Sequence, residues 1–110
     1  MTARAPAKMH ESEADFATWF EDWLKLKGWL WTHFQTSWHR GRFRTAISGD
    51  PGFPDYVCVK DGRCLFVELK GDSGQLTAGQ KEWIAELRQA REVVYVFRPS
   101  DRDEIMLTLT

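Results

Sequence analysis

Asp55, Glu68 and Lys70 are the side chains whose types and spacing could do chemistry together. Two apolar, β-rich runs flank the dipeptide Asp61-Gly62, which favours a type I′ hairpin turn because both central residues of that turn need a positive φ. With these two residues as the whole loop, the register places Asp55 directly opposite Glu68. Lys70 follows Glu68 by two residues and shares its face of the sheet.

Two carboxylates directly opposite each other destabilise a sheet unless something offsets their repulsion. A divalent cation does so well, because carboxylate oxygens are ligands that Mg²⁺ and Mn²⁺ prefer. The pattern therefore predicts that Asp55 and Glu68 hold a metal, with Lys70 as a positive charge beside it. The alternative is a solvated strand pair with scattered charges, since Glu-x-Lys is common on exposed strands.

The composition bounds the class of protein. The 110 residues allow one small domain, and 43% hydrophobic with 28% charged residues is typical of a globular chain. We expect residues 1–10 to be a flexible arm and 11–110 to be the domain. No apolar run approaches the ~20 residues of a membrane span, and no signal-peptide pattern begins the chain, so we expect a cytoplasmic protein without a membrane partner.

Net charge does not decide whether the protein binds nucleic acid, and the cysteine content predicts neither a disulfide framework nor a zinc site. The net charge of −1 neither favours nor excludes a nucleic-acid partner. The two cysteines, Cys58 and Cys64, are too few for a disulfide framework, and the predicted register puts them on opposite faces of the sheet. Their spacing with His33 and His39 matches no standard zinc pattern.

The first part of the chain predicts a helix over 13–27 and a strand over 29–35. Ser12 is the predicted N-cap, and Gly28 stands where a glycine favours the end of a helix. Apolar residues at helical spacing form the predicted buried stripe, which comprises Phe16, Trp19, Phe20, Trp23 and Leu26.

Residues 36–54 predict a long irregular connection. Basic residues alternate there with aromatic residues and a histidine: Arg40, Arg42 and Arg44 with Trp38, His39 and Phe43. This mixture is typical of a loop that contacts phosphates and stacks on bases, although a merely solvated charged loop is an equal alternative. Glycines and prolines at the end of the connection predict tight turns that deliver Asp55 to its strand.

The second part of the chain predicts a helix over 78–90, a strand over 93–97 and a short final helix or turn that ends at about 107. Thr77 and Gln80 form a capping box at the start of the first of these helices. A helix between two strands permits parallel pairing. The whole pattern predicts an α/β fold with a mixed sheet flanked by helices.

Several of these motifs resemble one nuclease superfamily. Pro54-Asp55 and Glu68-Leu69-Lys70 resemble the PD-(D/E)XK signature. Together with the neighbouring motifs, they resemble the VRR-NUC branch over roughly residues 12–105; these motifs are Gly52-Phe53, Phe66-Val67, Gly71, Leu76-Thr77, Gln80, Trp83 and Leu87. The chain departs from the family at Arg91, where members often have a glycine.

The resemblance implies a restriction-endonuclease-like fold and a DNA endonuclease that needs Mg²⁺ or Mn²⁺. It implies that the Leu69 carbonyl joins the metal ligands and that Gln80 reaches the site as well as capping its helix. It also implies a third carboxylate near the start of the first helix, with Glu13 favoured over Glu11, although the helix dipole alone would favour an acid there. His33 is a weaker candidate, because a structural histidine is the more common case.

Stand-alone VRR-NUC proteins of this size resemble phage enzymes that act as homodimers on branched DNA such as four-way junctions, in the host cytoplasm. A dimer also fits the aromatic content, because a small domain buries a smaller fraction of its surface, and Trp19, Trp31 and Trp38 are the candidates for its interface. Three alternatives remain: a catalytically inactive nucleic-acid-binding module, a flap or nicking nuclease, and an assembly partner with a Trp-rich surface.

Overall fold

The computed structural model describes residues 11–34, 37–39, 42–44 and 48–110, and for 37–39 and 42–44 it describes the backbone alone. The predicted arm over 1–10 lies outside these residues. The elements in chain order are α1 (Glu13–Lys27), β1 (Leu30–His33), β2 (Ser37–His39), β3 (Arg42–Arg44), β4 (Tyr56–Lys60), β5 (Arg63–Leu69), α2 (Ala78–Gln89), β6 (Val93–Phe97), a 3₁₀ turn (Pro99–Asp101) and α3 (Arg102–Thr108).

The main sheet has four strands in the order β1-β4-β5-β6. The first three strands are antiparallel neighbours, whereas β6 runs parallel to β5 after the crossover through α2. Phe20 of α1 packs edge-on against Tyr56 of β4, and the α3 residue Ile105 belongs to the same buried cluster. The prediction of an α/β fold with a mixed sheet flanked by helices is confirmed.

The central hairpin has the predicted register and turn. Asp61 and Gly62 have φ values of 49° and 78°, as a type I′ turn requires, and Lys60 pairs with Arg63. Cys58 is buried and Cys64 is exposed, in agreement with opposite faces of the sheet, and both are free thiols. This register brings the start of β4 to the end of β5, where the candidate site lies.

Helix α1 begins and ends where the caps predict. Ser12 Oγ accepts a hydrogen bond of 3.0 Å from the backbone N–H of Asp15, and Gly28 adopts a left-handed conformation with φ 76°. The buried stripe, however, consists of Phe16, Phe20 and Leu24. The prediction for Leu26 is wrong, because it lies two residues beyond Leu24, on nearly the opposite side of the helix, and is 73% exposed.

The prediction that 36–54 form an irregular connection is wrong in part, because this segment contains two short strands, β2 and β3. β2 and β3 pair antiparallel as a separate two-stranded sheet, with Trp38 opposite Phe43. Alternating aromatic and basic residues fit a β-hairpin as well as a loop, since alternation is the period of a strand.

Among the described residues, no helix has the length and apolarity to cross a membrane.

Two residues beyond the end of α2, Arg91 stands where the resembled family often has a glycine. Arg91 has φ 66°, and its N–H donates to Arg88 O. The N–H of Glu92 donates to Leu87 O, and these two hydrogen bonds form a Schellman motif. A side chain in this left-handed conformation is strained.

Arg91→Gly should therefore raise the free energy of unfolding by about 0.5–1 kcal/mol, because glycine removes that strain. Urea denaturation measures the change. Gln89→Gly is the matched control inside the helix and should instead destabilise by about 1 kcal/mol. A lower stability of the Arg91 variant would contradict the assignment of strain to this position.

Candidate metal and catalytic site

The predicted site residues converge at the end of β5. Glu68 is only 2% exposed, and its Oε2 accepts a hydrogen bond of 3.1 Å from Gln80 Nε2 of α2. Lys70 Nζ lies 3.9 Å from the same oxygen. Asp55 Oδ2 accepts a hydrogen bond of 3.0 Å from the backbone N–H of Leu69, which holds the Asp55 carboxylate against the end of β5. The structure thus brings together the five residues 55, 68, 69, 70 and 80.

The two carboxyl groups share a desolvated environment that opposes ionisation. Burial raises the pKa of Glu68 to about 8, the neighbouring Asp55 charge raises it too, and Lys70 opposes the rise. Burial also raises the pKa of Asp55, against the lowering effect of the Leu69 N–H. Carboxyl groups with raised pKa values next to a lysine are typical of functional sites.

One oxygen of Glu68 has no hydrogen-bond donor among the described residues. Glu68 Oε1 is buried, and the neighbouring Asp55 carboxyl group makes the ionised form of Glu68 costly in this dry environment. A divalent cation would satisfy Oε1 and offset the repulsion from Asp55, and the oxygen-only donor set suits Mg²⁺ or Mn²⁺. The described residues contain no group of three His, Cys, Asp or Glu side chains that could hold a metal. Two carboxylates are enough for Mg²⁺, which keeps several waters and uses substrate phosphates as further ligands.

The two candidate acids near the start of α1 have different surroundings. Glu11 forms an ion pair with Arg102 of α3. Glu13 is exposed, lines the cavity beside Asp55, and its charge is among the causes that raise the pKa of Glu68. Of the two acids, Glu13 is therefore the one that lies on the cavity beside the half-buried Asp55.

A cavity of about 730 Å³ opens between α1 and the end of the sheet. Its walls come from α1, from the end of β1, from the start of β4 and from the end of β5. The lining residues are Glu13, Ala14, Ala17, Thr18, Glu21, His33, Phe34, Asp55, Tyr56 and Leu69. Small side chains on α1 leave the space open next to Asp55. A cavity of this volume is in the range that takes a nucleotide-sized ligand.

The sequence did not single out Glu21 or Tyr56, which tie α1 to the strand that carries Asp55. Glu21 Oε2 accepts hydrogen bonds from the Tyr56 hydroxyl at 2.6 Å and from His33 Nδ1 at 2.9 Å. The His33 and Tyr56 rings stack with centroids 4.1 Å apart. Glu21 could have been found from its spacing in the sequence, because it lies eight residues after Glu13, on the same side of the predicted helix.

Gln80 has both of the roles that the sequence allowed. Its Oε1 accepts from the backbone N–H of Thr77 at 2.9 Å, and its own N–H donates to Thr77 Oγ1 at 3.1 Å, which completes the capping box. Its Nε2 donates to Glu68. The start of α2 is thereby fixed to the buried carboxyl group.

A close backbone contact holds the loop before Asp55 against the first turn of α2. A Cβ on Gly52 would lie 2.4 Å from the carbonyl carbon of Gly79, and a Cβ on Gly79 would lie 2.7 Å from Pro51 O. Trp83 Nε1 donates to Asp50 O at 3.1 Å beside this contact. Because this loop leads into Asp55 and this helix carries Gln80, the two glycines set the distance between the two halves of the site.

Gly79→Ala should separate the loop from α2, lower stability by about 1–3 kcal/mol and reduce any activity of the site. Thermal denaturation measures the loss of stability, and an assay of metal-dependent DNA hydrolysis, the activity that the resemblance implies, measures the second effect. Gly71→Ala is the control, because a Cβ there meets nothing within 4 Å. Equal behaviour of the two variants would contradict the role of the contact.

The predicted DNA contacts fall outside the side chains that the structure describes. Arg40 lies outside the described residues, and only the backbone of His39, Arg42 and Arg44 is described. Trp19 and Trp31, two of the candidates for a dimer interface, are half-buried against the core. The exposed large apolar side chains of the described residues are Leu26, Leu30, Phe34, Val59, Val93 and Leu107.

Comparisons of the chain with protein-family models, with curated proteins and with solved structures give no match. The fold and the site define an α/β domain with a buried Glu68, a half-buried Asp55, a lysine and a glutamine at the end of its central hairpin.

Proposed function

We propose that this protein is a metal-dependent endonuclease that hydrolyses phosphodiester bonds in DNA. The observation that carries the proposal is the buried Glu68 carboxyl group beside Asp55 and Lys70, whose Oε1 has no hydrogen-bond donor among the described residues. A structural carboxyl group at this depth would need a partner for each oxygen, whereas a metal ligand needs a lone pair directed to the ion. The resemblance to VRR-NUC nucleases supports the same interpretation.

Each residue then has a role that follows from its contacts. Asp55, Glu68 and the Leu69 carbonyl would hold one or two Mg²⁺ or Mn²⁺ ions, with Glu13 acting directly or through water. When bound, the cation supplies charge stabilisation at the scissile phosphate and a more acidic water. Gln80 holds Glu68 Oε2 and so keeps the side chain in one orientation.

Lys70 is the positive group of the proposed site. Its Nζ lies next to the carboxyl pair and is largely buried, so it can donate to a phosphate oxygen or orient the attacking water in a dry environment. Its charge also favours the ionised form of both carboxyl groups, because it lowers the pKa of each.

The proposed substrate is branched DNA, by the resemblance to stand-alone VRR-NUC proteins. Arg40, Arg42, Arg44 and His39 are the proposed phosphate contacts. We also propose a homodimer, because paired cuts in a four-way junction need two active sites. Light scattering at micromolar concentration should give the mass of two chains, and a monomer mass would leave a flap or nicking nuclease.

The proposal is tested by incubating the purified protein with Mn²⁺ and a panel of labelled flap, fork, junction and linear DNA. We expect cleavage that requires Mn²⁺ or Mg²⁺, stops with a chelator and favours a branched substrate. The Asp55→Asn variant should bind DNA without cutting it. Binding by the wild-type protein without cleavage of any substrate would overturn the proposal and indicate the non-catalytic nucleic-acid-binding module.

A further inference from the structure

Phe34 places an exposed aromatic ring on the wall of the cavity that contains Asp55. The residue directly follows β1, is 47% exposed and lines the cavity together with Asp55 and Leu69. Its backbone N–H donates to Asp55 O at 2.7 Å, which fixes the two residues side by side. Of the large apolar side chains that are exposed in the described part of the chain, Phe34 alone lines this cavity.

Neighbouring rings hold the side chain in place. Phe34 packs edge-on against Phe53, with centroids 5.5 Å apart and an interplanar angle of 80°. Phe53 in turn packs edge-on against Phe66 and Trp83. A ring that is supported on one edge and nearly half exposed is pre-organised for a flat ligand, because little side-chain entropy remains to be lost on binding.

We propose that Phe34 stacks on an unpaired nucleobase next to the scissile phosphate, so that the enzyme selects DNA with a single-stranded or frayed nucleotide at the cut. This inference rests on the proposed nuclease function and specifies its substrate class. Every base offers a π face to an aromatic ring, but a base inside a duplex has both faces covered by its neighbours. The cavity has the volume for one such nucleotide beside Asp55.

Binding in Ca²⁺ tests the proposal without cleavage. The probes are single-stranded and fully paired oligonucleotides that carry 2-aminopurine, whose fluorescence is quenched when it stacks. We expect quenching with the single strand and little with the duplex. Phe34→Leu, which keeps apolar packing against Phe53 but has no π face, should bind the single strand about ten-fold more weakly and lose the quenching, since one base–aromatic stack accounts for a loss of this size.

Two further variants define the result. Phe34→Trp should retain binding and quenching, whereas Leu30→Ala, an exposed apolar change at the start of β1 and outside the cavity, should match the wild-type protein. Wild-type binding and quenching by Phe34→Leu, or equal quenching of the paired oligonucleotide, would overturn the proposal. If Phe34→Leu cleaves DNA at the wild-type rate, the stacking role alone is refuted. If the wild-type protein quenches the probe but does not cleave DNA in Mn²⁺, the nuclease function alone is refuted.

Discussion

Glu68→Gln should abolish metal-dependent cleavage and yet raise the melting temperature of the metal-free protein at alkaline pH. The catalytic loss follows because the amide removes a charge that the cation needs. The gain in stability follows because burial holds the pKa of Glu68 near 8, far above its ordinary value of 4.5. Below pH 4.5 both the folded and unfolded states carry the proton, and the wild-type protein has the full stability of the neutral group.

This stability is lost progressively between pH 4.5 and about 8, because the unfolded state ionises in that range while the folded state keeps its proton; above 8 the loss is complete. The glutamine variant does not titrate, so its advantage should grow up to about pH 8 and then level off. Each pKa unit corresponds to about 1.4 kcal/mol. Relaxation around the charge reduces the full effect, and we expect a gain of about 1–3 kcal/mol at pH 9.

Thermal denaturation of the metal-free protein at pH 5, 7 and 9 measures the effect. Glu86→Gln, an exposed change on α2, is the matched control and should not alter the pH dependence. A variant that is less stable than the wild-type protein at pH 9, or one that still cleaves, would refute the assignment of Glu68 as a buried metal ligand.

Lys70→Met should reduce the cleavage rate at saturating Mn²⁺ by about 10²–10³-fold, the usual loss when one buried charge-stabilising donor is removed from an active site. Methionine keeps most of the length and apolar contact of the side chain. The carboxyl groups and the Leu69 carbonyl remain, so the metal should still bind, although more weakly at neutral pH because the pKa of Glu68 rises without the lysine.

The experiment measures single-turnover rates over a range of Mn²⁺ concentrations, so that metal affinity and rate are separated. Lys81→Met on the exposed face of α2 is the control. A Lys70 variant that cleaves within two-fold of the wild-type rate would show that the lysine only balances the charge of the acidic pair.

The sequence predicted the features that local rules determine. Asp61-Gly62 set the turn, and the turn set the register that brings Asp55 to the end of β5. Ser12 and Gly28 set the ends of α1 through side-chain and left-handed caps. These signals act over a few residues and need no knowledge of the tertiary contacts, which explains why they were reliable.

Contacts between distant segments could not be predicted in the same way. The hydrogen bonds of Glu21 with Tyr56 and His33 depend on the angle at which α1 crosses the sheet. The approach of Gly52 to Gly79 depends on how the loop before β4 lies on α2. In the sequence each of these residues resembles an ordinary surface acid, core aromatic or turn glycine.

Titration of the metal-free protein with Mn²⁺ in an isothermal calorimeter tests the central claim most directly. The wild-type protein should bind one or two ions saturably at pH 8. At pH 7 binding should release a proton, visible as a dependence on the ionisation enthalpy of the buffer, because Glu68 must lose its proton to bind the metal. Glu68→Gln and Asp55→Asn should lose this binding while remaining folded. Equal binding by these variants, or no saturable binding by the wild-type protein, would contradict a metal site at this carboxyl pair.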